Sequence, residues 1–155
     1  MHTQEQLDYY RTYGFVVFRG LFSEAEMETL RAEFDHRSSV ASSYQPFDGT
    51  ESQGMSMMGD DTPFYVSLLE DGRFADFAEE ACGGALGFST EANRYVGNTY
   101  WHYDGAGPHG VGIKFAFYLQ PVRAETGALR FIPGSHKNQY HDALGQVLPT
   151  KYAWA

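Results

Sequence analysis

Ile113-Lys114-Phe115-Ala116-Phe117-Tyr118-Leu119 alternates with a period of two. Ile113, Phe115, Phe117 and Leu119 fall on one side of an extended chain, and Lys114, Ala116 and Tyr118 on the other. The pattern predicts a strand covered on its apolar side. Upstream, Gly105-Ala106-Gly107-Pro108-His109-Gly110 reads as a turn or loop, and Asn93 to Asp104 before it as another strand. Downstream, Ala128 to Ile132 reads as a third strand, stopped by Pro133-Gly134. Beyond Lys137 the pattern fades, with a weak strand candidate near Val147. Twelve Phe and eleven Tyr add to the β reading, since aromatic side chains favour pleated, packed surfaces. The expected fold class is mainly β with N-terminal helices, in one domain of 155 residues.

The first part, residues 1–92, mixes helix and strand. Thr3-Gln4-Glu5-Gln6 is a capping box, continued by Leu7, Tyr10 and Tyr13 at helical spacing and ended by Gly14. Phe15-Val16-Val17-Phe18 reads as a short strand. Ser23-Glu24-Ala25-Glu26 is a second capping box, and Met27, Leu30 and Phe34 mark one face of a helix to about His36. Ser38 to Asp61 reads as a long loop rich in Ser, Gly, Asp and Gln. Its Met55, Met57 and Met58 are gap-fillers, or an adaptable substrate wall. Pro63 to Glu80 reads as helix, broken by Gly83, Gly84 and Gly87.

Bulk properties exclude several functions. The net charge is −9, and no Lys/Arg cluster offers a surface to nucleic acid or to an anionic membrane. The single cysteine, Cys82, rules out a disulfide framework and a cysteine-based zinc site. No apolar run approaches the roughly 20 residues that span a bilayer. The N-terminus lacks a signal-peptide pattern, so the expected location is the cytoplasm.

The chemistry concentrates in Trp101-His102-Tyr103-Asp104-Gly105. Residues two apart in a strand share a face, so His102 and Asp104 can reach one metal ion. They make up two thirds of a 2-His-1-carboxylate facial triad, the arrangement that leaves non-haem Fe(II) open to a cosubstrate and oxygen. The competing reading is a surface or hydrogen-bonded core pair. Lys114 is the one charge in an apolar strand. It is either an edge residue facing solvent or the cation for a carboxylate of an anionic cosubstrate. Asn98 shares strand parity with His102 and Asp104, a geometry that would let its amide point into the same cavity. His136 and His141 are candidates for a third ligand, His136 reading first as a turn or cap residue. His109, in the Gly-Pro loop, is a surface or substrate-contacting residue.

Together, Tyr10-x-x-x-Gly14-Phe15-Val16-Val17, Trp101-His102-x-Asp104, Tyr118-Leu119-x-Pro121 and Gly127-Ala128-Leu129-x-x-Ile132-Pro133-Gly134-Ser135-His136 resemble the phytanoyl-CoA dioxygenase-like family. The resemblance spans about Leu7 to His136. It implies a double-stranded β-helix (jelly-roll, cupin-like), with residues 93–155 as the first part of that core. It implies Fe(II) bound by His102 and Asp104, 2-oxoglutarate and O2 as cosubstrates, and hydroxylation of a small organic substrate. It makes the PGSH segment structural. The family's distal His, and the Arg that clamps 2-oxoglutarate, follow PGSH; no stretch after Asp104 matches them. The barrel is therefore expected to be incomplete at the C-terminus, with a partner chain as one source of the missing strands. The rival expectations are a truncated or inactive relative, a binding or interaction module pairing through an open strand edge, and a cupin-like enzyme using His136 or His141.

Overall fold

The computed structural model describes residues 2–42, 45–84, 89–97, 99, 101–102 and 112–147. Its helices are α1 (Gln4–Tyr13), α2 (Glu24–Ser42), α3 (Pro63–Ser67), α4 (Gly72–Cys82) and α5 (Asn138–Val147), with a 3-10 turn at Ala124–Thr126. Two short strands, β1 (Gln53–Ser56) and β2 (Glu91–Arg94), pair antiparallel. No helix among the described residues is long and apolar enough to cross a membrane. The chain divides into two compact units, one of Met1–Phe18, Phe77–Ala85 and Asn98–Ala155, the other of Arg19–Asp76 and Leu86–Gly97.

The first unit is organised by aromatic rings. Phe77 of α4 is 1 % exposed and meets His2, Tyr10 and Phe18 edge-on, with centroids 5.1 to 5.3 Å away, and Phe115 at 6.2 Å. α1 begins as its sequence predicts. Thr3 Oγ1 accepts from the Gln6 N–H at 3.3 Å, and the Thr3 N–H donates to Gln6 Oε1 at 2.8 Å.

The C-terminal end of α1 is closed from far along the chain. Gly14 adopts a φ of +82° and donates its N–H to the Tyr10 carbonyl at 2.7 Å. The Gly134 N–H donates to the Tyr13 carbonyl at 2.8 Å, and the His136 ring donates through Nε2 to the Arg11 carbonyl at 3.2 Å. The last carbonyls of a helix have no partner within it, so the PGSH segment acts as a long-range C-cap. A Cβ at position 14 would lie 2.7 Å from His136 Cγ. Glycine is thus required there by backbone conformation and by the imidazole above it.

The second unit is organised by charged side chains. The Ser23/Glu26 capping box forms, with the Ser23 N–H donating to Glu26 Oε2 at 2.7 Å. Arg73 donates to the Leu21 carbonyl at 2.8 Å, to Glu26 Oε1 at 2.7 Å and to Asp71 Oδ2 at 2.6 Å. Its hydrogen bond is the main reason the Glu26 carboxyl is held down to about 2, with Ser23 adding to the effect. The same guanidinium lowers Asp71. Glu33, on α2, accepts the Phe64 and Tyr65 N–H groups at 2.8 and 3.1 Å, placing a carboxylate on the first turn of α3. Arg37 binds Asp61 through Nη1 at 3.0 Å and the Ser56 carbonyl through Nε at 3.1 Å. The strands pair Gln53 with Arg94 and Met55 with Ala92, and Met55 and Met57 are buried. These two methionines are therefore core fillers; Met58 is exposed.

The mainly β, jelly-roll expectation is overturned: the described residues form mostly helices and one two-stranded sheet. The alternation over residues 113–119 is present in burial, with Ile113, Phe115, Phe117 and Leu119 half-buried and Lys114, Ala116 and Tyr118 exposed. That stretch is nevertheless not a strand. Period two requires only a chain covered on one side, and rings such as Phe77, which meets Phe115, provide such cover. Phe15 to Phe18 behaves likewise, delivering Phe15 onto Phe131 and Phe18 onto Phe77. Ala128 to Ile132 forms no strand either, and of the described residues in the segment read from Asn93 to Asp104, Asn93 and Arg94 lie in β2 and Trp101 makes an isolated bridge. The weak strand near Val147 is instead the end of α5. α2 continues to Ser42, and β1 lies within the expected long loop. The expected helix from Pro63 to Glu80 is interrupted before Asp71-Gly72, where the Asp71 carbonyl accepts the Phe74 and Ala75 N–H groups and restarts the chain as α4.

Candidate metal centre

Trp101 and His102 are the described residues of the predicted ligand segment. Trp101 is half-buried and His102 is exposed. Arg130 lays its guanidinium over the Trp101 ring, 5.0 Å from the centroid. The Leu129 N–H donates to the Tyr118 hydroxyl at 2.6 Å, tying the stretch that carries Arg130 to the one that carries Lys114. Lys114 is on the exposed side of that stretch with Ala116 and Tyr118. Asp104, Asn98 and His109 lie outside the described residues.

An exposed imidazole two positions before a carboxylate is a donor set that suits divalent iron, a nitrogen and an oxygen ligand with room for further ligands. Among the described residues no group of three His, Cys, Asp or Glu side chains is placed to hold a metal. Three other imidazoles make contacts of their own. His136 caps α1 and stands over Gly14. His2 contacts Glu80 at 2.7 Å, and His36 lies 3.8 Å from Asp61. His141 lies in α5. Burial raises the Cys82 thiol, consistent with a packed cysteine that is not a nucleophile.

A protein-family model described as phytanoyl-CoA dioxygenase matches residues 10–154. The chain belongs to the phytanoyl-CoA dioxygenase family. Members of this family are, at family level, oxygenases of the Fe(II)- and 2-oxoglutarate-dependent type. Comparison with curated proteins and with solved structures gives no match. The matched span runs from Tyr10 in α1 through His102-x-Asp104 and past the PGSH segment. The matched span therefore covers both the candidate ligands and the long-range cap.

Sequence reasoning missed two features of this family member. The target of His136 lies 125 residues away in sequence, and no local pattern specifies it. Arg130 left a signal that went unread: it is a cation inside the apolar stretch Leu129-Arg130-Phe131, much as Lys114 is inside its own.

Proposed function

We propose that this chain is a 2-oxoglutarate-dependent non-haem iron dioxygenase that hydroxylates a small organic substrate. The observation that carries the reading is the exposed His102 imidazole, two residues before Asp104, inside the span matched by the family model. His102 and Asp104 would hold Fe(II), leaving coordination positions open. With 2-oxoglutarate and O2 bound, that ion supplies the oxidising chemistry, the cosubstrate leaving as succinate and carbon dioxide. Lys114 offers an ammonium for a cosubstrate carboxylate, and Asn98 an amide for its polar edge. Lys114 is proposed as the one charge in its apolar stretch, and Asn98 from its parity with His102 and Asp104; both assignments rest on the sequence.

Succinate formation tests this directly. The folded chain, given Fe(II), 2-oxoglutarate, oxygen and a panel of small organic substrates, is expected to release succinate. Asp104→Ala removes one of the two proposed ligands and is expected to abolish that release. Undiminished succinate formation by Asp104→Ala would contradict the assignment.

A further inference from the structure

We propose that Met58 is a reversible oxidation site, at which hydrogen peroxide converts the thioether to a sulfoxide and the Thr90 N–H then holds the new oxygen. The fold leaves this methionine without a packing role. Met55 and Met57, in the same run, fill the core at 7 % and 0 % exposure, whereas Met58 is 43 % exposed. Met27, on α2, is half-buried. Exposure governs which thioether meets an oxidant in solution, and it favours Met58.

A second observation gives the product a partner. Met57 and Met58 follow the end of β1, and Thr90 precedes the start of β2. The Met57 N–H donates to the Thr90 carbonyl at 2.9 Å. In an antiparallel pair of this kind the Thr90 N–H would return to the Met57 carbonyl. Here the Thr90 hydroxyl donates to that carbonyl instead, at 3.1 Å. The Thr90 N–H donates to Met58 Sδ at 3.4 Å, and the Thr90 hydroxyl oxygen also lies 3.4 Å from the sulfur. A backbone donor at the end of the ladder is thus spent on a weak acceptor.

The step is an oxygen transfer. A sulfur lone pair attacks one oxygen of hydrogen peroxide, the O–O bond breaks and an S–O bond forms. The departing hydroxide takes up the remaining peroxide proton and leaves as water. Sulfur is oxidised by an electron pair, and the peroxide is reduced by the same pair. The lone pair facing Thr90 is engaged by the N–H, so attack uses the outward one. Rotation of the exposed side chain then offers the oxygen to the Thr90 N–H. A sulfoxide oxygen is polar and accepts more strongly than a thioether sulfur, so the contact tightens. Methionine sulfoxide reductases reverse the step, a dithiol becoming a disulfide as the oxygen leaves in water.

The test treats the full folded chain, wild type and Met58→Leu, with hydrogen peroxide. Peptide mass mapping follows the order of oxidation, and amide hydrogen exchange at Thr90 is read by NMR before and after. Met58 is expected to oxidise several-fold faster than Met27, Met55 and Met57. The Thr90 N–H is expected to exchange about fivefold more slowly in the oxidised wild type, the gain of one neutral hydrogen bond, and to regain its first rate after reductase treatment. Peroxide is expected to leave Thr90 exchange unchanged in Met58→Leu. Oxidation of Met27, Met55 or Met57 ahead of Met58 overturns the proposal. So does Thr90 exchange that oxidation of the wild type leaves unchanged or speeds up, or that slows equally in Met58→Leu.

Discussion

The two compact units are built on different chemistry. The unit of Arg19–Asp76 and Leu86–Gly97 surrounds a buried core that includes Leu30, Met55, Met57 and Phe74 with charged nodes. Arg73 is fixed by Leu21, Glu26 and Asp71, Arg37 by Asp61 and Ser56, and the start of α3 by Glu33. The unit carrying His102 is set by rings around Phe77 and by the clamp of the PGSH segment on α1. Charged nodes specify one geometry, because each donor has a matching acceptor in a fixed direction. Ring clusters supply burial with looser angular demands. The candidate metal segment thus belongs to the unit whose interior has the looser angular demands.

Removing the ring at the centre should separate the two kinds of architecture most sharply. Phe77→Ala deletes a fully buried ring and is expected to cost about 3–5 kcal/mol of stability, measured by denaturant unfolding. A cost below about 1 kcal/mol would mean that the rings around Phe77 are not the core of that unit.

The clamp on α1 can be tested by a double-mutant cycle. Gly14→Ala forces a side chain into a left-handed backbone and against the His136 ring, and is expected to cost about 1–2 kcal/mol. His136→Ala removes the cap hydrogen bond, at about 1 kcal/mol, and also the obstruction. The double variant should therefore be more stable than the sum of the two single changes predicts. Strict additivity would break the account of Gly14. Since His136 is assigned to the cap, His136→Ala should leave metal affinity at the wild-type value.

A smaller effect comes from the charged unit at low pH. Glu26 titrates at about 2 when folded, against an ordinary 4.5. A carboxyl whose pKa is depressed by folding stabilises the protein above its unfolded pKa, and that contribution fades as pH falls through the folded value. The thermal midpoint should therefore decline as pH is lowered from about 4.5 to about 2, with Asp71 adding in the same direction. Arg73→Met should flatten that decline; an unchanged slope would mean that Arg73 does not set these carboxyls.

How much of this was legible in the sequence follows from distance along the chain. Both capping boxes form as read, because Thr3 with Gln6 and Ser23 with Glu26 are three residues apart and need no tertiary information. The alternation over residues 113–119 correctly indicated which side chains are covered. It did not indicate what covers them, because a ring from α4 and a neighbouring strand produce the same period. The aromatic content was read as β-sheet, yet Phe18, Phe77 and Phe115 pack as a cluster joining helix and extended chain. α5 carried an apolar stripe, Tyr140, Leu144 and Val147 at i, i+4 and i+7, that the strand reading near Val147 passed over. The family motifs were legible as a pattern, and the structure gives PGSH its physical meaning as the cap of α1.

The central claim is that His102 and Asp104 assemble an iron site that takes 2-oxoglutarate. Anaerobic titration of the full chain with Fe(II) and then 2-oxoglutarate tests it most directly, read by the weak visible charge-transfer band of the ternary complex. A saturable band in wild type, absent in His102→Ala, is the expected result. No band from a protein shown by circular dichroism to be folded, or an identical band in His102→Ala, would contradict it.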